Sequence, residues 1–223
     1  MANPARFSDR TDAGEQLADA LREREVDADI VLAIPRGGLP LGRAVADALD
    51  APLDIVVAQK IGAPSNPEYA VGAVASDGSV WRNEEALRRR GSGDEYFERK
   101  REEKAEAARQ KAERYRGDRP APDLTDETVV VVDDGVATGS TARACLERIH
   151  NADAGRIVLA VPVGPPETID ELGDRADDVV CLETPESFTS VGRFYQRFGQ
   201  VSDEEAMEYL GPDHDRGSGD TGK

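Results

Sequence analysis

Lysine is scarce in this chain: five lysines stand against 23 arginines among 223 residues. Basic charge as a whole is outweighed, with 28 Lys and Arg against 45 Asp and Glu, a formal net charge of -17. That balance excludes a nucleic-acid binder that works by neutralising phosphates, because such a protein presents a basic face. The acids are spread along the chain rather than gathered in a tail. Diffuse acidity with little lysine fits work in high salt, where screening tames self-repulsion, and we expect a halophilic protein. Histidine is rarer still. His150 falls near the end of an expected helix and His214 in a polar terminal stretch, so histidine catalysis is not expected. The two cysteines, Cys145 and Cys181, have neither CxxC spacing nor a neighbouring histidine. They read as small buried hydrophobes in a reducing compartment, not as a disulfide or a metal site. No apolar run approaches the length of a membrane span, and MANPARFSDR has no signal-peptide core, so the expected location is the cytoplasm.

What is present reads as one α/β domain. Hydrophobic residues make up 39% and charged residues 33%, which at this length supplies one core and an ion-rich surface. We assign residues 1–212 to the domain and expect residues 213–223 to be a disordered tail. Residues 12–25 predict a helix, with Asp12 and Glu15 at capping-box spacing and Ala13, Leu17, Ala20 and Leu21 on one face. DIVLAI (29–34) is a buried strand closed by PRGG; LPLGRAVADAL (39–49) is a helix and PLDIVVAQK (52–60) a second strand. Strand, glycine turn, helix, strand opens a parallel sheet. YAVGAVASDGSVW (69–81) predicts a hairpin turning at residues 76–78. Residues 83–117 form a charged helical insertion, broken at residues 91–93 and resuming at Asp94 with Ala105, Ala108, Ala112 and Tyr115 as a thin apolar stripe. The parallel pattern returns with strands at 128–132, 156–164 and 177–183 and helices at 141–150 and 166–173. Residues 185–201 are aromatic-rich and irregular, and 202–210 begin a capped helix.

The stretch TVVVVDDGVATGST (128–141) carries the chemistry. In an open parallel sheet, ligands lie beyond the carboxyl ends of the strands. Asp133 and Asp134 emerge there, and the turn after them runs into a helix whose first amides point outward as an anion site. Thr138, Ser140 and Thr141 add hydroxyl donors, and Gly139 lets backbone approach closely. One edge therefore suits a phosphate; the other offers carboxylates to vicinal hydroxyls or a divalent cation. A phosphorylated sugar satisfies both. A P-loop is excluded, since GVATGST has no lysine and the acids precede it. An aspartyl-phosphate phosphatase would space its two acids one residue apart.

VVVVDDGVATGST resembles the phosphoribosyl-pyrophosphate motif of the type I phosphoribosyltransferases, and the likeness covers roughly residues 5–210. IPRGGLPLG and KIGAPSNPEYAVGAV resemble stretches of poorly characterised members. The resemblance implies the type I phosphoribosyltransferase-like fold: an open parallel sheet flanked by helices, with a small hood and a hairpin or loop insertion. It implies that Asp133 and Asp134 contact the ribose hydroxyls and that Ala137, Thr138, Gly139, Ser140 and Thr141 cradle the 5-phosphate. Pro35, Arg36, Gly37 and Gly38 match the pyrophosphate loop; two glycines admit backbone amides to an anion and Arg36 adds fixed charge. Lys60, one of the few lysines, is expected at a strand end facing the same crevice as a pyrophosphate contact. Magnesium is the implied cofactor, held mainly by substrate oxygens with no dedicated protein cage. Arg88, Arg89, Arg90, Arg99, Lys100 and Arg101 read mostly as solvated helix charge, with delivery of a cation to the site as the alternative.

The implied activity is transfer of phosphoribosyl to a nitrogen acceptor, a nucleobase in our reading, with release of pyrophosphate. Phe188 is the candidate ring for stacking on a base, with Phe194 and Tyr195 as alternates, and packing of a small lid is the equal alternative. The lysine that purine enzymes of the family carry beyond the preceding strand is missing from VPVGPP (161–166). A sensor of phosphoribosyl pyrophosphate without turnover, and a phosphosugar hydrolase, are the rival classes. Partners expected are the phosphoribosyl donor, its acceptor and a second copy of the chain as a homodimer, with no nucleic acid and no membrane.

Overall fold

The computed structural model describes residues 6–90 and 94–211. In chain order the elements are α1 (Arg10–Glu23), β1 (Ile30–Ala33), α2 (Gly38–Leu49), β2 (Leu53–Ile55), β3 (Ala58–Ala63), β4 (Asn66–Ala75), β5 (Val80–Arg82), α3 (Glu84–Arg90) and α4 (Asp94–Arg116). There follow β6 (Thr128–Val132), α5 (Ser140–His150), β7 (Arg156–Val163), α6 (Pro166–Gly173), β8 (Asp178–Glu183), a 3-10 turn (Val191–Phe194) and α7 (Asp203–Glu208). Five strands form a parallel sheet in the order β2-β1-β6-β7-β8, and β3-β4-β5 form a separate antiparallel sheet. The expected α/β class with its hairpin insertion is the observed one. Among the described residues no helix is long and apolar enough to cross a membrane.

The central strands are continuous apolar runs because both faces are covered. Ile30, Leu32, Val129 and Val131 face a core completed by α5, while Val31, Ala33, Val130 and Val132 face the core under α1 and α2. This period-two division follows from the pleat. Register is fixed accordingly, with Ile30 opposite Val129 and Ala33 opposite Val132. The carboxyl ends of β1 and β6 therefore lie side by side, and the chain after each emerges at one place.

Two expectations need correction. The strand predicted over 52–60 is two strands: β2 ends at Ile55 in the parallel sheet, and β3 starts at Ala58 in the other. An unbroken apolar run does not reveal where a chain changes sheets. Lys60 consequently lies on the hairpin sheet, opposite Ala73, rather than at the end of a parallel strand. The cap of α1 is also earlier than expected: Asp9 accepts from Asp12 N (3.1 Å) and Asp12 accepts from Ser8 N (2.7 Å). Asp9, not Asp12, is the N-cap, and Asp12 in turn holds the Ser8 amide just before it.

The charged insertion is anchored at both ends. Phe97 of α4 is fully buried beside Gly72 of β4, where a Cβ would lie 2.7 Å from the ring. Ala105, Ala108, Ala112 and Tyr115 are buried, so the thin stripe is real. At the far end Arg116 Nε donates to both oxygens of Asp54 (3.2 and 3.1 Å) and Nη2 to Ile55 O (2.7 Å). The break expected at residues 91–93 and the tail at 213–223 lie outside the described residues.

The Arg116 and Asp54 side chains are only 10% and 14% exposed, so salt screens their pairing little. Asp54→Ala leaves the guanidinium buried beside a single carbonyl, and we expect a loss of about 3 kcal/mol. Urea unfolding checks this; a loss under about 0.5 kcal/mol would class the pair with ordinary surface ion pairs.

Candidate functional site

The chain leaving β1 turns sharply at residues 35–38, where the Pro35-Arg36 peptide bond is cis. A Cβ on residue 37 would lie 2.0 Å from Asp134 Oδ2, and one on residue 38 would lie 2.6 Å from Val132 O. Glycine is required at both positions for the turn to rest against the end of β6. Gly38 N donates to Ile34 O and Leu39 N to Arg36 O. The amides of Arg36 and Gly37 donate to no protein acceptor among the described residues, which leaves two donors for an anion.

Asp133 and Asp134 follow β6 directly. Asp134 N donates to Asp133 Oδ1 (2.8 Å), and Arg10 Nε from α1 donates to Asp134 Oδ2 (2.8 Å). Burial and the neighbouring Asp134 charge push the Asp133 carboxyl well above the usual carboxylate range. Burial raises Asp134 too, and Arg10 opposes that rise. The loop then passes through Gly139, whose φ of 67° starts α5, and Thr138 Oγ1 lies 3.0 Å from Ser140 Oγ. Ala137 and Thr138 are exposed, Thr141 is half-buried and Ser140 is buried. Arg143 holds this loop from behind: it is 5% exposed, donates from Nη1 to Thr138 O (2.5 Å), pairs with Glu171 and lies against the Trp81 ring.

The structure thus brings together Arg36, Gly37, Gly38, Asp133, Asp134 and the loop of Ala137, Thr138, Gly139, Ser140 and Thr141. Lys60 belongs to the hairpin, as described above. Phe188 stacks on Phe194, with centroids 5.9 Å apart and planes 16° from parallel, in the segment that roofs the site. Tyr195 is buried and donates to Asp134 O (2.7 Å), while Phe198 carries the Arg10 guanidinium 3.9 Å above its ring. Among the described residues no three His, Cys, Asp or Glu side chains gather as a metal cage.

Sequence reasoning missed Arg10, Lys111, Arg143, Tyr195's hydroxyl contact and Asp203. Lys111 of α4 donates from Nζ to Pro35 O (3.1 Å), so the insertion reaches the turn after β1. Its scarcity as a lysine was the available signal, and it applied to Lys111 as well as to Lys60. Nothing in the residues around Arg10 or Asp203 distinguishes them before the chain is folded.

The family model for a phosphoribosyl transferase domain matches residues 9–196. A Mycobacterium tuberculosis protein provisionally named phosphoribosyl transferase Rv0571c is 41% identical over 210 residues, 93% of this chain and 47% of that protein. The chain therefore spans about half the length of the curated relatives it matches. The crystal structure of TT1426 from Thermus thermophilus is 42% identical, with a TM-score of 0.79 over 92% of this chain and 97% of that one. The structure of AQ2163 protein from Aquifex aeolicus, 12% identical, shares the fold at a TM-score of 0.51 over 82% of this chain and 78% of that one.

A raised carboxyl pKa means that the folded state binds more protons than the unfolded chain just above the usual Asp range. The partly desolvated charge then costs stability as pH rises through the raised value. Asp133→Asn removes that cost and keeps an acceptor for Asp134 N. Near neutral pH we expect the unliganded variant to melt about 2–4 °C higher, and the gain to vanish below about pH 4, where both forms are neutral. Melting curves across pH check this; a lower melting temperature at neutral pH would overturn it.

Proposed function

The chain belongs to the phosphoribosyl transferase family, and from that premise we propose that it binds 5-phosphoribosyl 1-pyrophosphate with Mg2+ and transfers the phosphoribosyl group to a nitrogen acceptor, releasing pyrophosphate. The observation that carries this reading is the packing of Gly37 on Asp134, which sets an amide-lined turn beside two carboxylates and a hydroxyl-lined loop. Each fits one part of the donor. The Arg36 and Gly37 amides and the Arg36 guanidinium suit the pyrophosphate, the Asp133 and Asp134 carboxylates accept from the ribose hydroxyls, and residues 137–141 receive the 5-phosphate. Phe188 is our candidate for stacking on the acceptor, a nucleobase, and Lys60 for a pyrophosphate contact from the hairpin.

Magnesium fits the donor set: two adjacent carboxylates with raised affinity for protons suit a hard cation that keeps most of its ligands from substrate and water. When bound, it would neutralise charge on the pyrophosphate. The protein's own part is positional. As the bond from C1 to pyrophosphate loosens, positive charge grows on the ribose ring and negative charge on the leaving group. Arg36 and the turn amides stabilise the second, and the fixed 5-phosphate and ribose contacts hold C1 in line with the acceptor nitrogen. A sensor without turnover would use the same contacts, so the release of pyrophosphate against a panel of bases separates the two.

Calorimetric titration of phosphoribosyl pyrophosphate with magnesium, in molar potassium chloride, tests the reading. We expect magnesium-dependent binding by the wild type and a loss of at least about 100-fold in the Asp133→Asn, Asp134→Asn double variant. A folded wild type that does not bind would overturn the assignment.

A further inference from the structure

The leaving-group turn has a second neighbour. On one side of it, α4 supplies Lys111, Arg114 and Tyr115; on the other, α7 supplies Asp203. Tyr115 Oη donates to Asp203 Oδ1 (2.6 Å), Arg114 Nη1 donates to Oδ2 (2.9 Å), and Arg36 Nη1 lies 3.9 Å from Oδ1. Arg114 also bonds Glu204 (3.1 Å). Lys111 Nζ is 3.1 Å from Pro35 O and 5.6 Å from the centre of the Tyr115 ring. One carboxylate thus draws on two arginines and a phenol beside the amides of Arg36 and Gly37.

Three features of this cluster do not suit a purely structural role. Lys111 is half-buried, and burial pushes its ammonium below its ordinary value, with Asp203 and Asp133 opposing that shift. A half-buried cation over a backbone turn is costly unless an anion meets it. Next, Lys111 bonds Pro35 O, while the amides of Arg36 and Gly37 donate to no protein acceptor among the described residues. Lastly, Asp203 is 26% exposed and Arg36 is 36% exposed, so their long contact is open to competition from solvent and solute.

Resting on the pyrophosphate reading above, we infer that Lys111 is a cation of the leaving-group site and that the Asp203 carboxylate stands in for the diphosphate, yielding Arg36 when that anion binds. The insertion helix then serves the site from a rigid element, and α7 responds to its occupancy. A diphosphate presents more charge and more acceptor oxygens than one carboxylate, which favours the exchange.

Inorganic pyrophosphate with magnesium is the probe, and ribose 5-phosphate is the comparator. We expect Lys111→Met to weaken pyrophosphate binding by about tenfold or more, and Lys111→Arg to recover most of it. Asp203→Asn, which removes the competing charge, should tighten pyrophosphate binding by about threefold to tenfold. All three variants should bind ribose 5-phosphate within about twofold of wild type, since a merely structural defect would weaken both ligands. Unchanged pyrophosphate binding by Lys111→Met, or weaker binding by Asp203→Asn, overturns the inference. Should Lys111→Met fail to fold, Lys111→Arg and Asp203→Asn decide it. Phosphoribosyl pyrophosphate is titrated alongside. The expected pattern without binding of that donor would overturn the substrate reading and leave this inference standing; donor binding without the pattern would do the reverse.

Discussion

A Cβ on residue 37 would lie 2.0 Å from Asp134 Oδ2 and one on residue 38 would lie 2.6 Å from Val132 O, so glycine at both lets the turn after β1 pack against the acids after β6. Much of the site's layout follows from that contact. Parallel pairing of β1 with β6 brings two strand ends to one place, but a side chain at residue 37 would hold the turn away from the carboxylates. With glycine, open amides and half-buried carboxylates share one small space. That arrangement raises the proton affinity of both acids and is unfavourable in the empty protein. Sites that carry such unfavourable charge are usual where ligand binding relieves it.

The roof of the site is tied to its floor through Asp134. Arg10 Nε bonds its carboxylate and Nη1 bonds Gly199 O, while Tyr195 bonds its backbone carbonyl. Phe7 exchanges backbone bonds with Phe194 and Gln196, which joins the segment before α1 to the aromatic stretch after β8. A residue early in the chain and a loop late in it therefore converge on one aspartate. Arg10 neutralises part of the Asp134 charge, and its stacking on Phe198 fixes the guanidinium in place. A ligand that accepts from Arg10, or donates to Asp134, changes both ties together.

The site was legible where it is continuous in sequence. Residues 128–141 hold a strand, two acids, hydroxyls and a left-handed glycine within one turn, and each has a local physical reason. PRGG was legible for the same cause. The fold was legible to the level of element order and sheet type, because buried parallel strands and amphipathic helices leave strong periodic patterns. The departures have particular origins. Within 52–60 the run at residues 55–58 stays apolar across a change of sheet, since Val56, Val57 and Ala58 are buried on both sides of it. Asp12 has two possible capping partners, and only the path of the chain before α1 selects Asp9. Arg10 and Asp203 act on residues far away in sequence, so no spacing could have pointed to them.

The insertion helix shows why such distant contacts escape notice. A stretch as charged as α4 is read as a solvated face, and for Lys100, Arg101 and Arg109, which pair with nearby acids three residues away, that reading is sound. Yet Ala108, Ala112 and Tyr115 share one buried face, and Lys111 lies at its edge, three residues after Ala108 and four before Tyr115. A lysine in that position is half-buried, with part of its stem covered. Its stem runs along the apolar stripe and its nitrogen ends at Pro35 O. The same helical spacing that buries the stripe thus aims a cation at the turn. Charge density describes the helix as a whole, but the phase of each charge relative to the stripe decides which ones reach the site.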